Sequence, residues 1–316
     1  MATLHIIASC TDRKRWPTAS LIRLHAVRPG APLEDRATAW AAALATAPRR
    51  IAAEELYVGD HWAVARSLRE EARGRRLHAE LWIASAGYGL IHGSENVAGY
   101  SATFASGHRD AVCGSGAEER RAWWDLVCRL GPRACEVRSL RQLAAAYPQD
   151  RILVVGSASY ISAMADDLAA ARSKLLDPAR LLIVSGRETK LPEPLSQNLL
   201  PSDARLQPVV GGALGSLHIR VARRIIATES VGDWDARKLR PRYEVLGATS
   251  VRQDVPERAR SDDAAVRSFI QSELLRDDSL SASRLLRAYR DNGWACEQRR
   301  FIKLFEQVRM GGPNVR

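Results

Sequence analysis

The sequence of 316 residues lacks the marks of several protein classes. No apolar run approaches the ~20 residues that a membrane-spanning helix needs. The first residues form a short apolar run without the charged region of a signal peptide. The five cysteines are odd in number and show no CxxC spacing, so neither a disulfide framework nor a thiolate metal site is expected. We therefore expect a cytoplasmic protein with no membrane partner.

Familiar nucleotide and metal motifs are also missing. There is no GxxxxGK[ST] phosphate loop, no GxGxxG after the first apolar run, and no GxSxG nucleophile elbow. The seven histidines form no HExxH or other pair four residues apart. We interpret His61, His92, His108 and His218 as surface or hydrogen-bonded loop residues. The sequence predicts no metal site and no cofactor.

Lysine is scarce, whereas arginine is abundant. Lys and Arg together number 47 against 36 acidic residues, for a formal net charge of +11, and only five of the 47 are lysines. Guanidinium groups make planar contacts with phosphate and guanine and stack on bases. A nucleic acid is therefore the first partner to consider. An Ala- and Arg-rich composition is also typical of a GC-rich genome.

Short apolar runs alternate with amphipathic segments. The runs are typical of strands buried on both faces of a parallel sheet and lie at 4–8, 81–84, 152–155 and 181–184, with a weaker candidate at 209–210. Helical patterns lie between them at 35–47, 61–72, 118–130, 160–172 and 214–227. This alternation predicts an α/β fold, an open, mostly parallel sheet of four or five strands flanked by helices.

We divide the chain into three parts. Residues 1–227 are predicted to form an α/β catalytic domain, 228–262 a linker or a packed arm, and 263–316 a helical tail. Apolar periodicity fades in the middle part, where glycine and proline recur. The tail shows helical patterns at 263–276, 281–291 and 297–309.

The last two helical patterns are joined by Asn292-Gly293 and predict a helix-turn-helix. From residue 280 onward there are eight basic and three acidic residues. We predict DNA contacts from the following side chains of the tail: Arg284, Arg299, Arg300 and Lys303. The alternative is a helical hairpin that caps the main domain and turns a basic face to solvent.

Small residues follow the predicted strands, at the edge where open α/β sheets bind ligands. Ser9-Cys10 follows the first strand and leads into Asp12 and Lys14, which Arg13 and Arg15 flank. Further along the chain, Tyr88 and Tyr100 lie in Gly-rich stretches, where aromatic rings can stack on bases.

Four ordered motifs carry a resemblance to a known family. They are SC-T-x-x-K at 9–14, ELY-x-G at 55–59, S-A-x-Y-G-L at 85–90 and Y-x-x-T at 100–103. Over about residues 4–105 the chain resembles small bacterial α/β domains related to the YaaA peroxide-stress proteins and to the uracil-DNA glycosylase-like superfamily. That resemblance implies a uracil-DNA glycosylase-like fold. Members of the family usually carry Pro-Tyr-Asp where this chain has Gly99-Tyr100-Ser101, so an acid is missing there.

The layout, a basic single-sheet domain with an appended helical tail, is similar to that of the Brig antiphage DNA glycosylases. Those enzymes excise glucosylated hydroxymethylcytosine from phage DNA and leave abasic sites. The resemblance implies modified double-stranded phage DNA as the partner and a target base that is flipped into a pocket.

Such chemistry requires particular side chains. An oxocarbenium-like transition state needs an anion near the sugar, and Asp12 is the candidate, with Lys14 as the nucleophile of a lyase variant. Candidate contacts to the base are Ser9, Cys10, Ser85, Tyr88, Gly89, Tyr100, Gly156 and Ser157. Candidate contacts to flanking phosphates are Arg13, Arg15 and Arg187. Two other functions stay open: a non-enzymatic DNA-binding nucleotide sensor, and an enzyme that processes nucleosides or tRNA bases.

Overall fold

The computed structural model describes residues 3–112, 116–132, 136–250 and 258–310. Contacts between Cα atoms divide the chain into two units, Met1–Val251 and Arg252–Arg316. The first unit holds the α/β sheet and the second holds the three helices of the tail. Within the described ranges, no helix is both long and apolar enough to cross a membrane.

The described residues form twelve strands, of which six build the central sheet. Their bounds are β1 (Leu4–Ser9), β2 (Ile22–Arg23), β3 (Arg50–Ala52), β4 (Ala79–Ser85), β5 (Gly89–His92), β6 (Asn96–Ala98), β7 (Tyr100–Ser101), β8 (Arg151–Val155), β9 (Leu181–Gly186), β10 (Leu199–Ser202), β11 (Ala259–Arg260) and β12 (Trp294–Ala295). The sheet order is β10-β9-β8-β1-β4-β5, and only β5 runs antiparallel to its neighbour. The predicted open, mostly parallel α/β sheet is confirmed, with six strands instead of four or five.

Two strands of the central sheet were not predicted, and one predicted strand is helical. Strand β5 begins at Gly89, inside a stretch that the sequence indicates as loop. Strand β10 carries Pro201, which is tolerated because β10 lies at an edge of the sheet. Residues 209–210 belong to a helical turn that Pro208 starts and Gly211, at φ +68°, ends. The prediction of a strand there was wrong.

Helices lie between the strands and cover the sheet. Those of the first unit are α1 (Leu33–Thr46), α2 (Ala53–Leu56), α3 (Asp60–Gly74), α4 (Ala117–Leu130), α5 (Leu140–Ala146), α6 (Ala158–Ala163), α7 (Ala165–Lys174), α8 (Gln207–Val210), α9 (Leu217–Thr228) and α10 (Ala236–Thr249). Helix α9 shows why they form, because Ile219, Ala222 and Ile226 recur on one face and are fully buried. The predicted helix 160–172 is divided at Met164 into α6 and α7.

The stretch after residue 227 contains helix α10 and belongs to the first unit. Leu239 and Tyr243 of α10 are buried in the main core. The Arg240 side chain donates from Nε to the carbonyl oxygen of Leu199, at 2.7 Å. The first unit extends to residue 251, so α10 lies in the stretch for which the sequence predicts a linker or a packed arm. Pro241 lies inside α10, which is why the sequence indicates a break there.

The second unit is built from α11 (Asp263–Arg276), α12 (Ala282–Asp291) and α13 (Gln298–Met310). They share a separate core of Val266, Ile270, Leu285, Leu286, Tyr289, Cys296, Phe301, Leu304 and Phe305. The connection between α12 and α13 covers residues 292–297 and contains β12, which pairs with β11. This connection is longer than the three- to four-residue turn of an ordinary helix-turn-helix.

Candidate functional site

The carboxyl end of β1 lies at a topological switch point of the sheet, where the strand order reverses direction. From β1 the chain crosses to β4 on one side, and later it returns to β8 on the other side. Open α/β sheets bind ligands at such a point, outside the carboxyl ends of the strands. The residues that follow β1, from Cys10 to Arg15, lie at this edge.

Lys14 occupies a cage at this edge and braces the loop after β1. Its Nζ donates to the carbonyl oxygens of Thr11, at 2.5 Å, and of Asp12, at 3.2 Å. The same Nζ lies 5.1 Å from the ring centroid of Tyr57 and 4.9 Å from that of Tyr100. Burial lowers the pKa of Lys14 from its usual value. Because the ammonium group is bound to two carbonyls of its own loop, its role here is to hold that loop.

A chain of hydroxyl groups runs behind the lysine. The phenol oxygens of Tyr57 and Tyr100 are 3.0 Å apart, and that of Tyr100 is 2.6 Å from Oγ of Ser85. Ser85 Oγ also accepts the backbone N–H groups of Gly87 and Tyr88. Burial raises the pKa of Tyr57 and of Tyr100 well above the usual value, so both phenols stay protonated at neutral pH. The hydroxyl chain fixes the loop after β4.

Four of the predicted base contacts are buried by this packing. Tyr88 and Tyr100 are 2% and 0% exposed, so neither ring is available to stack on a base. Ser85 is fully buried and occupied by its backbone donors. A Cβ at Gly89 would lie 2.7 Å from Sγ of Cys128, so this glycine is required for packing. In this structure these four residues pack the loop after β4 against the core.

Around the crevice between β1 and β8, the predicted residues lie at different depths. Cys10 is buried, and its Sγ is 3.2 Å from the hydroxyl oxygen of Tyr160. A Cβ at Gly156 would lie 3.5 Å from Cβ of Ser9, so this glycine keeps the two strand ends close. Ser157 is exposed, with its Oγ 3.0 Å from that of Ser159. Ser157 is thus the most accessible of the four predicted base contacts in this crevice.

Asp12 projects outward above the caged lysine. Its carboxylate is 64% exposed, and its Oδ1 lies 3.5 Å from Nε2 of His108. Nδ1 of His108 accepts the backbone N–H of Asp110, at 3.0 Å. That bond leaves the ring proton on Nε2, where it faces Asp12. The structure therefore places an accessible anion at the carboxyl end of β1, with a histidine donor beside it.

A second carboxylate lies nearby and was missed by the sequence prediction. Asp110 is fully buried and accepts hydrogen bonds from Nε and Nη2 of Arg23, from Nδ1 of His25 at 2.5 Å, and from Oγ of Ser101 at 2.7 Å. Burial alone would raise the pKa of Asp110, but the hydrogen bonds from His25, Ser101 and Arg23 hold it well below the usual value. Asp110 is thus an ionised residue that orients His25.

Two further histidines of the first unit, His61 and His218, are half-buried. His61 lies near the N-terminus of α3, and among the described residues its buried Nε2 has no hydrogen-bond partner. Burial lowers the pKa of His61 to about 4. His218, on α9, has Nδ1 2.7 Å from Oγ of Ser202, and burial lowers its pKa as well. Both rings are neutral at pH 7.

The predicted phosphate contacts of the first unit differ in availability. Arg13 is exposed, and Arg15 is exposed with Nη1 3.8 Å from Oε2 of Glu55. Arg187 is bound by Asp203 and Glu244, which balance its charge. Arg187 is therefore a poor phosphate ligand in this arrangement.

In the second unit, Arg284 and Lys303 are exposed. Arg300 pairs with Asp263, whose Oδ1 lies 2.7 Å from its Nη2. The side chain of Arg299 lies outside the described part of the structure. The described residues contain no group of three or more His, Cys, Asp or Glu side chains that could hold a metal ion.

The site thus combines an exposed carboxylate, a histidine donor and a caged lysine at the carboxyl end of β1. Comparison of the chain with models of known families, with curated proteins and with solved structures finds no match in any of the three.

Proposed function

We propose that the chain is a DNA glycosylase that flips out a modified base, hydrolyses its N-glycosidic bond and leaves an abasic site. The observation that carries this proposal is the exposed carboxylate of Asp12 at the carboxyl end of β1, 3.5 Å from His108 Nε2 and supported by Lys14. The excess of arginine supports a nucleic-acid substrate.

Asp12 suits the electrostatic demand of this reaction. As the bond to the base breaks, positive charge develops on the deoxyribose ring, and a nearby carboxylate stabilises it or orients the attacking water. The Nε2–H of His108 fixes the carboxylate, and the Nζ of Lys14 fixes the backbone carbonyl of the same residue. Both neighbours are positioning residues in this proposal.

Hydrolysis is preferred over the lyase variant because of the surroundings of Lys14. A lysine nucleophile must be deprotonated and must reach C1′ of the sugar. In this chain the Nζ of Lys14 is engaged with two carbonyl oxygens and two aromatic rings. Incubation with substrate DNA and borohydride is therefore expected to trap no covalent complex.

The finer assignments follow from the resemblance of the motifs and the layout. A uracil-DNA glycosylase-like sheet, glucosylated hydroxymethylcytosine as the excised base, and a role in antiphage defence are all part of the proposal. The exposed hydroxyl of Ser157 and the exposed guanidinium of Arg13 are the expected contacts to the base and to a flanking phosphate. They adjoin the crevice between β1 and β8.

The test is base release from plain and from glucosylated phage DNA, followed by mass spectrometry and by alkali-induced strand breaks. We expect release from the modified DNA and a decrease of at least about a hundredfold in Asp12→Asn. The matched control is Asp166→Asn, which removes a carboxylate that is 79% exposed on α7. Full activity in Asp12→Asn would move the catalytic acid elsewhere. No release by the wild-type protein from either DNA would overturn the glycosylase proposal.

A further inference from the structure

Four arginines of the second unit line one cavity of about 580 Å³. Arg258, Arg260, Arg290 and Arg300 come from the β11 region, the end of α12 and the start of α13. Glu297 is the acidic residue of its lining. The cavity therefore carries an excess of positive charge.

Neutral groups hold two of these arginines in place. Nε of Arg258 donates to the carbonyl oxygen of Arg290, and Nη2 of Arg290 donates to that of Cys296, both at 2.9 Å. Carbonyl oxygens fix a guanidinium without cancelling its charge, and donors fixed in advance lose less entropy when a ligand binds.

Carboxylates balance only part of the charge. Across the described ranges, Arg258, Arg260 and Arg290 have no ion pair, whereas Arg300 pairs with Asp263. Three guanidinium groups are thus free to bind an anion at the same cavity.

A second cavity, of about 360 Å³, adjoins the first. It shares Arg258 and Arg290 and adds Arg287 and Gln298, with Asp291 as its acidic residue. One small anion needs only one of these cavities. Two adjoining basic cavities that share two arginines suit neighbouring phosphates on one strand, because guanidinium forks match phosphate oxygens.

We propose that this arginine groove, lined by Arg258, Arg260, Arg287 and Arg290, binds two successive phosphates of duplex DNA. The inference rests on the DNA partner of the proposed function, but not on the chemistry at Asp12. It assigns the phosphate contacts of the second unit to residues outside the predicted set. Of that set, Arg300 lines the first cavity, whereas Arg284 and Lys303 line neither.

The test measures binding of the full chain to a 20-base-pair duplex across a series of salt concentrations. The variants are Arg260→Gln, whose side chain is exposed and bonds to no described residue, and the double variant Arg260→Gln/Arg290→Gln. The matched control is Arg276→Gln, which removes a 77% exposed arginine from α11. Thermal unfolding measures whether each variant is folded. If the double variant is unfolded, the test uses Arg260→Gln alone.

Removal of one arginine that neutralises a phosphate lowers the slope of log K against log[salt] by about 0.9. We expect slopes reduced by about 1 in Arg260→Gln and about 2 in the double variant, with roughly tenfold weaker binding for each guanidinium removed. Arg276→Gln should match the wild type. Unchanged slopes in both groove variants would overturn the proposal.

Two further experiments compare duplex DNA with free phosphate and with duplex RNA as ligands of the groove. Displacement of the duplex by millimolar inorganic phosphate would indicate a site for one free anion and would overturn the two-phosphate proposal. Tighter binding of an RNA duplex of the same sequence would overturn the choice of DNA. A wild-type protein that releases no base, together with groove variants that show the expected decrease in slope, would overturn the proposed reaction and support the groove.

Discussion

The hydroxyl of Ser101 lies 2.7 Å from Oδ2 of Asp110, so a carboxylate stands beside the segment Gly99-Tyr100-Ser101, which has no acidic residue of its own. Here the acid comes from a loop nine residues later and is fully buried. A carboxylate at that depth acts on its partners, above all on His25, and does not touch a substrate.

Replacement of that carboxylate should destabilise the first unit. In Asp110→Asn, the guanidinium of Arg23 and the ring of His25 lose their anionic partner, at an expected cost of roughly 2–3 kcal/mol in the free energy of unfolding. The pKa of Asp110 is lowered on folding, so its contribution is present above about pH 4 and is lost as the pH falls further. Urea unfolding at pH 7 and at pH 3 measures both effects. Asp166→Asn should stay within about 0.5 kcal/mol of the wild type.

The buried histidines predict a loss of stability in mild acid. The pKa of His61 falls from an ordinary value near 6.5 to about 4 on folding, so the unfolded chain binds protons first. Between these two values the wild-type protein should lose up to about 3 kcal/mol through this ring. His61→Asn should flatten that pH dependence, whereas His78→Asn, at a side chain that is 67% exposed, should not. Equal slopes for wild type and His61→Asn would contradict the assignment.

The buried hydroxyl of Tyr100 should contribute to the stability of the first unit. Tyr100→Phe keeps the aromatic packing but leaves the hydroxyls of Tyr57 and Ser85 without a shared partner. We expect a decrease of about 1–2 kcal/mol in the free energy of unfolding, measured with heat or urea. Tyr147→Phe removes a hydroxyl from a residue that is 45% exposed and should be neutral. A neutral Tyr100→Phe would show that water replaces the missing hydroxyl.

Gly89 lies where the packing leaves no room for a side chain. It has φ +77°, and an added Cβ would meet Sγ of Cys128 at 2.7 Å and its backbone nitrogen at 3.1 Å. Gly89→Ala should therefore cost at least about 2 kcal/mol in the free energy of unfolding. Gly232→Ala, where an added Cβ meets nothing within 4 Å, should be nearly neutral. An equally stable Gly89→Ala would contradict the requirement for glycine at this position.

His108 offers a milder test of the proposed reaction. Its Nε2 lies 3.5 Å from an exposed carboxylate oxygen of Asp12, and exposed pairs of this kind contribute ~0.2–1 kcal/mol. His108→Asn should thus slow base release by about threefold, with a smaller difference at high salt. His78→Asn should leave the rate unchanged. A decrease of about a hundredfold in His108→Asn would mean that this ring transfers a proton itself.

The interior of the sheet could be predicted from the sequence because it depends on local composition. Strands β1, β4, β8 and β9 are apolar runs buried on both faces, and such runs are visible without any partner. Strands β5 and β10 depend on pairing with a neighbour at the sheet edges. Pro201 and Gly89 make them resemble loops.

The sequence predicts that its motifs lie together at one edge of the sheet, but it does not predict how deeply each residue is buried. The motifs around Lys14, Ser85 and Tyr100 do meet at the carboxyl edge of the sheet. The spacing of residues along the chain does not show how deeply a side chain is buried. Tyr88 and Tyr100, predicted to stack on a base, are core residues in the structure. Asp110 and His61 gain their environments only from distant chain segments, and nothing in their own neighbourhoods indicates it.

The pairing of Ala259–Arg260 with Trp294–Ala295 has a consequence for where the second unit can be cut from the chain. A fragment that starts at residue 263, the predicted boundary, keeps all three helices but leaves β12 with its backbone groups exposed and without its partner strand. The same cut removes Arg258 and Arg260 from the groove. Such a fragment would keep its core but expose the unpaired edge of β12, and it would lack two of the four arginines that the proposed groove requires.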